Sequence, residues 1–349
     1  MASNESIKNV LVERVNGTNL DLENFESNYL KCGRPVIIQN YLSNLPCSKW
    51  SIEYLLKRVG DNQVTVRGRT NANDYKVGVA YTVRETTFKD YIHDLRTRNH
   101  NGQTSYMAVQ NISKVFPQLQ EECQLPSYVG KLHNGPFLWV AREGHYEYCH
   151  YDPDASLLMM IDGRKQVRLF SCADHEKLYP NPLGSKGKTI QSQVDCDSPD
   201  LKKFPAFCEA MCYHCVLNAG DMLLIPAFWW HQVTSLTDSV SMNAFFGDAG
   251  KDNYIRRIME EPVWPAFRYW LLNITEQNRS YSSFQRTLER LPICVEYLLL
   301  KQFHEEASEN HINTLVDTIK TYLNLEKLPE FSGGGKHPPP LRIRGLRWR

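Results

Sequence analysis

Between residues 136 and 246 the chain breaks into short apolar runs parted by Gly, Pro and Asp, and this texture limits the fold more than any other feature. The runs are Phe137-Leu-Trp-Val-Ala141, Leu157-Leu-Met-Met-Ile161, Gln166-Val-Arg-Leu-Phe170, Met222-Leu-Leu-Ile225 and Val240-Ser-Met-Asn-Ala-Phe-Phe246. Each is too short for a stable helix and is closed by turn formers, so together they predict a mainly β sandwich or barrel.

The flanks read differently. Leu20 to Leu30 is spaced as an amphipathic helix, followed by a Gly-Arg-Pro turn and the buried-strand run Pro35-Val-Ile-Ile-Gln39. Thr87-Phe-Lys-Asp90 has capping-box spacing and predicts a helix over Phe88 to Leu95. Beyond Asp252 the apolar residues fall at helical spacing, as in Phe267, Trp270, Leu271 and Ile274, and again in Ile312, Leu315, Val316 and Ile319. From Ser332 onward a Gly- and Pro-rich stretch carrying five Lys and Arg cannot build a core and is expected as a flexible basic tail. The expected division is therefore 1–135 for N-terminal helices and strands, 136–250 for the β core, 251–330 for a helical segment and 331–349 for the tail.

A net charge of +1 supplies no global field to recruit nucleic acid. The opening residues lack the apolar core of a signal peptide, and no apolar run approaches a membrane span. The ten cysteines show no framework spacing, so reduced thiols in the cytosol or nucleus are expected.

Chemistry enters at His150-Tyr-Asp152. Residues two apart on a strand share a face, so this imidazole and this carboxylate can converge. Pro226-Ala-Phe-Trp-Trp-His231 follows the strand ending at Ile225 and offers a second imidazole. Two imidazoles and one carboxylate on one side of a metal are the donor pattern of non-haem Fe(II) oxygenases. Alone, a His-x-Asp pair is more often a local hydrogen-bonding pair, and a histidine after two tryptophans is more often a packed core residue. The surroundings decide the matter. Gly163-Arg-Lys165 opens a strand with a lysine suited to the far carboxylate of a keto acid. Ala219-Gly-Asp-Met-Leu-Leu-Ile-Pro226 is a turn, a buried strand and a proline break that end just ahead of His231.

These pieces in this order resemble the JmjC domain of the small hydroxylase branch. The likeness is carried by His150-Tyr-Asp152, Gly163-Arg-Lys165, Ala219-Gly-Asp221, Ile225-Pro226 and Trp229-Trp230-His231, with Gly33-Arg-Pro-Val-Ile-Ile38 and Ser48-Lys-Trp-Ser-Ile-Glu-Tyr-Leu55 upstream. The insert Leu178-Tyr-Pro-Asn-Pro182, Gln191-Ser-Gln-Val-Asp195, Ser198-Pro-Asp200 and Phe204-Pro205 is similar to that of the branch's asparaginyl, arginyl and tRNA wybutosine hydroxylases. The resemblance covers roughly residues 20 to 247. It implies a double-stranded β-helix, a cupin barrel, with N-terminal α/β elements and a C-terminal helical segment. It further implies His150, Asp152 and His231 as Fe(II) ligands, and Lys165, Tyr106, Asn243 and Ser156 around a 2-oxoglutarate cosubstrate. Two positions depart from the family pattern: Glu147 stands where Thr or Ser is usual, and Ser156 where Asn is usual. A carboxylate beside a dianionic cosubstrate is repulsive unless protonated or turned away.

The activity implied is hydroxylation of a protein side chain, coupled to decarboxylation of 2-oxoglutarate to succinate. Its rivals are hydroxylation of a tRNA base and a metal-binding JmjC module without turnover. Two other motifs carry less. Cys208, Cys212, His214 and Cys215 match no common zinc spacing and read as thiols on a strand, and Gly184-Ser-Lys-Gly187-Lys lacks the first glycine of a phosphate loop, with Pro182 in its place. The helical stripes around Phe267 to Ile274 and Ile312 to Leu323 carry more apolar surface than a barrel edge is expected to cover, so a homodimer through these helices is predicted. Light scattering at high micromolar concentration should report a dimer, and deletion from about residue 262 onward should give a monomer or an insoluble chain. An intact chain that stays monomeric overturns the expectation.

Overall fold

Period-two alternation in the strands sorts the apolar residues into two cores, one on each side of a large sheet. The computed structural model describes residues 8–69, 82–97, 104–130, 132–152, 154–182 and 190–246. The expected C-terminal helices, the dimer they were to form and the basic tail lie outside these described residues. Among the described residues, no helix is long and apolar enough to cross a membrane.

The strands are β1 (Lys8–Leu11), β2 (Glu13–Asn16), β3 (Val36–Gln39), β4 (Gln63–Arg69), β5 (Thr82–Thr87), β6 (Thr104–Asn111), β7 (Leu132–Ala141), β8 (Tyr146–Tyr151), β9 (Ala155–Asp162), β10 (Arg164–Phe170), β11 (Ile190–Gln191), β12 (Met211–Asn218), β13 (Met222–Ile225), β14 (Trp230–Ser235) and β15 (Ser239–Phe246). They form a six-stranded sheet ordered β1-β12-β10-β14-β8-β11 and a nine-stranded sheet ordered β2-β3-β13-β9-β15-β7-β6-β4-β5. Neighbours pair antiparallel except β1 with β12 and β2 with β3, which are parallel. This is the jelly-roll sandwich the strand texture implies.

One face of the nine-stranded sheet looks into the sandwich. From it Ile37, Leu158, Met160, Leu223 and Ile225 meet Val167, Leu169, Cys215 and Leu217 of the opposite sheet. The alternate residues Val36, Ile38, Leu157, Met159, Met222, Leu224 and Met242 point the other way. There they pack on Phe25, Trp50, Leu55, Phe88, Tyr91 and Phe116 of the N-terminal segments. Their two longer helices each start at a side-chain cap, of which Thr87 is the one expected from the sequence. Ser51 accepts a hydrogen bond from the Tyr54 amide at the start of the helix Ile52–Val59, and Thr87 Oγ1 accepts from the Asp90 amide at the start of Phe88–Thr97. The helix expected over Leu20 to Leu30 divides in two. Asp21 caps a short α-turn, Leu22–Phe25, and a wider turn, Glu26–Leu30, continues with the Lys31 amide bonded to the Glu26 carbonyl. The N-terminal strands do more than lie on the sandwich, because β3, β4 and β6 are hydrogen-bonded members of its larger sheet.

Gly163 turns β9 into β10 with φ near +80°, and a Cβ there would stand 2.2 Å from the Asp238 carbonyl oxygen. Only glycine fits, and the turn fixes where Lys165, two residues on, enters its strand. Gly163→Ala should therefore lower stability by about 1–3 kcal/mol from backbone strain, with the added cost of the clash. A urea midpoint unchanged from the parent would show that the turn relaxes freely.

Candidate metal centre

β8 and β14 are adjacent strands, and their register sets His231 directly opposite His150. The ring centroids lie 4.3 Å apart. Asp152 follows β8 on the side of both rings, its Oδ2 3.8 Å from His150 Nε2 and 3.6 Å from His231 Nε2. The three donor atoms all fall within 4.8 Å of one another, and no other such group occurs among the described residues.

The local chain explains why the Nε2 atoms converge. His150 Nδ1 lies 2.8 Å from the Tyr148 carbonyl oxygen and His231 Nδ1 lies 3.0 Å from that of Trp229. A carbonyl only accepts, so each Nδ1 carries the proton and each Nε2 presents its lone pair. This is the outer-shell arrangement that orients ligating histidines. Asp152 is pinned through its own carbonyl, which accepts from the Phe228 amide at 2.8 Å. Phe228 adopts φ 61° to make that contact, and its side chain is fully buried, with its ring 5.9 Å from that of Tyr151. For an aromatic residue this is a strained backbone held by its surroundings.

Burial governs the charges. It pushes His231 down to about 4, a shift reinforced by the neighbouring His150, and it lowers His150 as well. Both imidazoles are thus neutral at pH 7, the form a metal ligand requires. Burial also pushes Asp152 up to about 6 against the opposing pull of His231. A divalent cation would replace that proton with its own charge. Two neutral nitrogens and one carboxylate oxygen fit a borderline or hard divalent metal such as Fe(II).

The residues expected around a cosubstrate lie in the same interior. Lys165 is buried on β10, and its Nζ donates to Ser241 Oγ at 2.6 Å. Burial pushes this ammonium down to about 8, with the Glu147 carboxylate acting in the opposite direction. Asn243 lies two residues after Ser241 on β15, and its Oδ1 accepts from Trp139 Nε1 at 2.5 Å. Tyr106 on β6 lies 5.8 Å from the Trp139 ring and stacks at 3.7 Å on His145. Ser156 is buried on β9, on the face it shares with Leu158 and Met160. It makes no hydrogen bond with Lys165, Tyr106 or Asn243.

Two participants, Ser241 and His145, were not expected from the sequence. Ser241 could have been found from alternation, as the residue two before Asn243 on the same face of β15. His145 could not, and the inward aim of Glu147, expected from the family resemblance alone, has its physical cause in the strand pairing. Between β8 and β14 the register shifts by one residue, His231 pairing with His150 but Val233 with Glu147. This bulge lets two residues three apart reach the same side. Glu147 is accordingly buried, with Oε2 3.3 Å from His145 Nε2. Burial would raise its carboxyl, but the hydrogen bond and charge of His145, with His150 and Arg67 nearby, hold it at about 2.

The profile of the cupin-like domain family matches residues 22–252. Lysine-specific demethylase 8 of Xenopus tropicalis is 32% identical over 228 residues, covering 64% of this chain and 50% of that protein. Lysine-specific demethylase JMJ30 of Arabidopsis thaliana is 29% identical over 251 residues, 69% of this chain and 56% of that protein. The tRNA wybutosine-synthesizing protein 5 of Gallus gallus is 29% identical over 218 residues, 58% of this chain and 67% of that protein. The chain thus spans about half the length of the demethylase 8 relative it matches.

Replacing His150 or Asp152 by Ala should abolish Fe(II) binding, and His231→Ala should do nearly the same, because each removes one of three donors. Anaerobic titration followed by metal analysis of the desalted protein reads this directly. Full occupancy in all three variants would place the metal elsewhere.

Proposed function

The chain belongs to the cupin-like family in its JmjC class, a family of Fe(II)- and 2-oxoglutarate-type oxygenases, and on that premise we propose that it hydroxylates a side chain of a protein substrate. The observation that carries this reading is the convergence of His150 Nε2, His231 Nε2 and Asp152 Oδ2, within one buried interior that also holds the ammonium of Lys165.

In this reading His150, Asp152 and His231 hold the iron, and Lys165, steadied by Ser241, takes the outer carboxylate of 2-oxoglutarate. When bound, the pair supplies decarboxylation of the keto acid to succinate coupled to insertion of an oxygen atom into a substrate C–H bond. The protein's part is position and dryness. The Nδ1–carbonyl bonds fix the direction of both imidazoles, and the aromatic residues Tyr106, Trp139 and Tyr148 wall the chamber against water. Tyr106 and Asn243 border the space beside Lys165, with Ser156 further along the interior face.

A protein substrate is favoured over tRNA on electrostatic grounds. Binding a polyanion depends on neutralising several phosphates, and a net charge of +1 gives no general surplus for it. The relatives point both ways, since some are named as lysine demethylases and others for tRNA wybutosine synthesis. Incubation of the purified chain with Fe(II), 2-oxoglutarate and cell extract, followed by a search of peptides and nucleosides for added oxygen, separates the two. Oxygen on a peptide supports the reading, and oxygen confined to nucleosides replaces it. In the same preparation Lys165→Ala should weaken 2-oxoglutarate binding by roughly tenfold to a hundredfold while leaving metal content intact, because it removes a charged hydrogen-bond partner and no ligand. Calorimetry showing unchanged affinity would move the anchor to another residue.

A further inference from the structure

The interior beside the metal ligands holds two buried side chains of opposite charge, and only one of them suits an anionic ligand. Lys165 and Glu147 are each under a tenth exposed. A continuous series of contacts joins their surroundings. Glu147 lies against His145, His145 stacks on Tyr106, Tyr106 neighbours Trp139, and Trp139 donates to Asn243. Asn243 shares its strand face with Ser241, which accepts from Lys165. Both side chains also belong to the inner face of the six-stranded sheet, because Val233 of the intervening β14 pairs with Glu147 on one side and with Val167, two residues from Lys165, on the other, and the field of the carboxylate reaches the ammonium. In a buried site such a field is screened far less than in water.

We infer that Glu147 sets how tightly this chamber takes a 2-oxo acid bearing a second carboxylate, by competing with that carboxylate for the positive charge of Lys165. The inference rests on the reading of Lys165 as the cosubstrate anchor and adds a specificity determinant to it. A carboxylate arriving beside Lys165 meets a cation already partly compensated, and it must also lie near a like charge. A 2-oxo acid of the same length without the outer carboxylate meets neither opposition. The chamber thus discriminates weakly between the two acids, although its lysine alone would favour the diacid strongly. The bulge at β8 creates this effect, since on an unbroken ladder Glu147 would face away from His150.

The test uses the full chain loaded with Mn(II), which occupies the metal site without turnover. Calorimetric titrations with 2-oxoglutarate and with 2-oxopentanoate are compared for the parent, Glu147→Gln and Glu147→Thr. The glutamine variant keeps the shape of the side chain and guards against a folding defect in the threonine variant. Both variants should bind 2-oxoglutarate about tenfold or more tightly than the parent, the scale of removing one buried like charge, and should leave 2-oxopentanoate where it was. Adding Lys165→Ala to Glu147→Gln should cancel the gain. Unchanged or weaker 2-oxoglutarate binding in both variants overturns the inference while leaving the anchor reading intact. Equal tightening of both acids also overturns it, because the cause would then be space and not charge. A parent and variants that retain Mn(II) but bind neither acid overturn the anchor reading and this inference together.

Discussion

The cross-strand pairing of His150 with His231 is the constraint on which the rest of the site depends. It is a property of register, and register in a sheet is fixed by which face is buried. β14 lies between β10 and β8, so the same ladder that sets His231 against His150 also sets Leu169 beside His231 and Lys165 beside Ser235. A slip of β14 by one residue would carry His231 to the outer face, away from His150, and bring Gln232 inward. The packing of Val233 against Val167, Leu169, Leu158 and Met160 opposes that slip, so the hydrophobic effect in the sandwich core is what aligns the polar site beside it.

That alignment is finished by short-range hydrogen bonds. Both histidines use the carbonyl two residues back to fix a tautomer, so a single local device is applied twice. The third donor, Asp152, has no ladder partner and is held instead by the Phe228 amide. The cost is a left-handed conformation at a bulky residue, of order 1–3 kcal/mol. The packing of Phe228 and Trp230 with Tyr151 behind the strand sustains it. Stability stored in that aromatic cluster is thereby converted into the position of a carboxylate.

Much of this was legible in the sequence, and the reasons it was or was not are physical. His150, Asp152, Lys165 and His231 could be read because alternation, the Gly163 turn and the Pro226 break are all local signals. The N-terminal capping residues Ser51 and Thr87 are local too. What could not be read is what depends on partners distant in the chain. β3, β4 and β6 join the larger sheet through pairings with strands more than twenty-five residues away in sequence, and no periodicity records that choice. β1 and β2 expose nearly all their side chains, so they lack the apolar alternation that marks a strand. Glu147 is the most instructive case, since only the family resemblance set it beside the cosubstrate. Its residue type was visible, but the face it occupies is decided by one unpaired position between β8 and β14.

The charges inside the sandwich raise the question of how the chain tolerates them. Moving an isolated ion into a protein interior costs several kcal/mol even after relaxation, and this interior contains Lys165, Glu147 and Asp152 together. Lys165 and Glu147 offset each other through space, and each also has a close polar contact, Ser241 for the lysine and His145 for the glutamate. Asp152 has no comparable compensation, which is why burial raises it to about 6 while Glu147 is held at about 2. The two carboxylates therefore play different parts in one volume. Glu147 lies among positive and hydrogen-bonding partners of the chain itself, Arg67 and His145 included, whereas Asp152 leaves a charge that a cation would close. An interior arranged in this way retains, at one atom, an uncompensated charge that a divalent cation would neutralise.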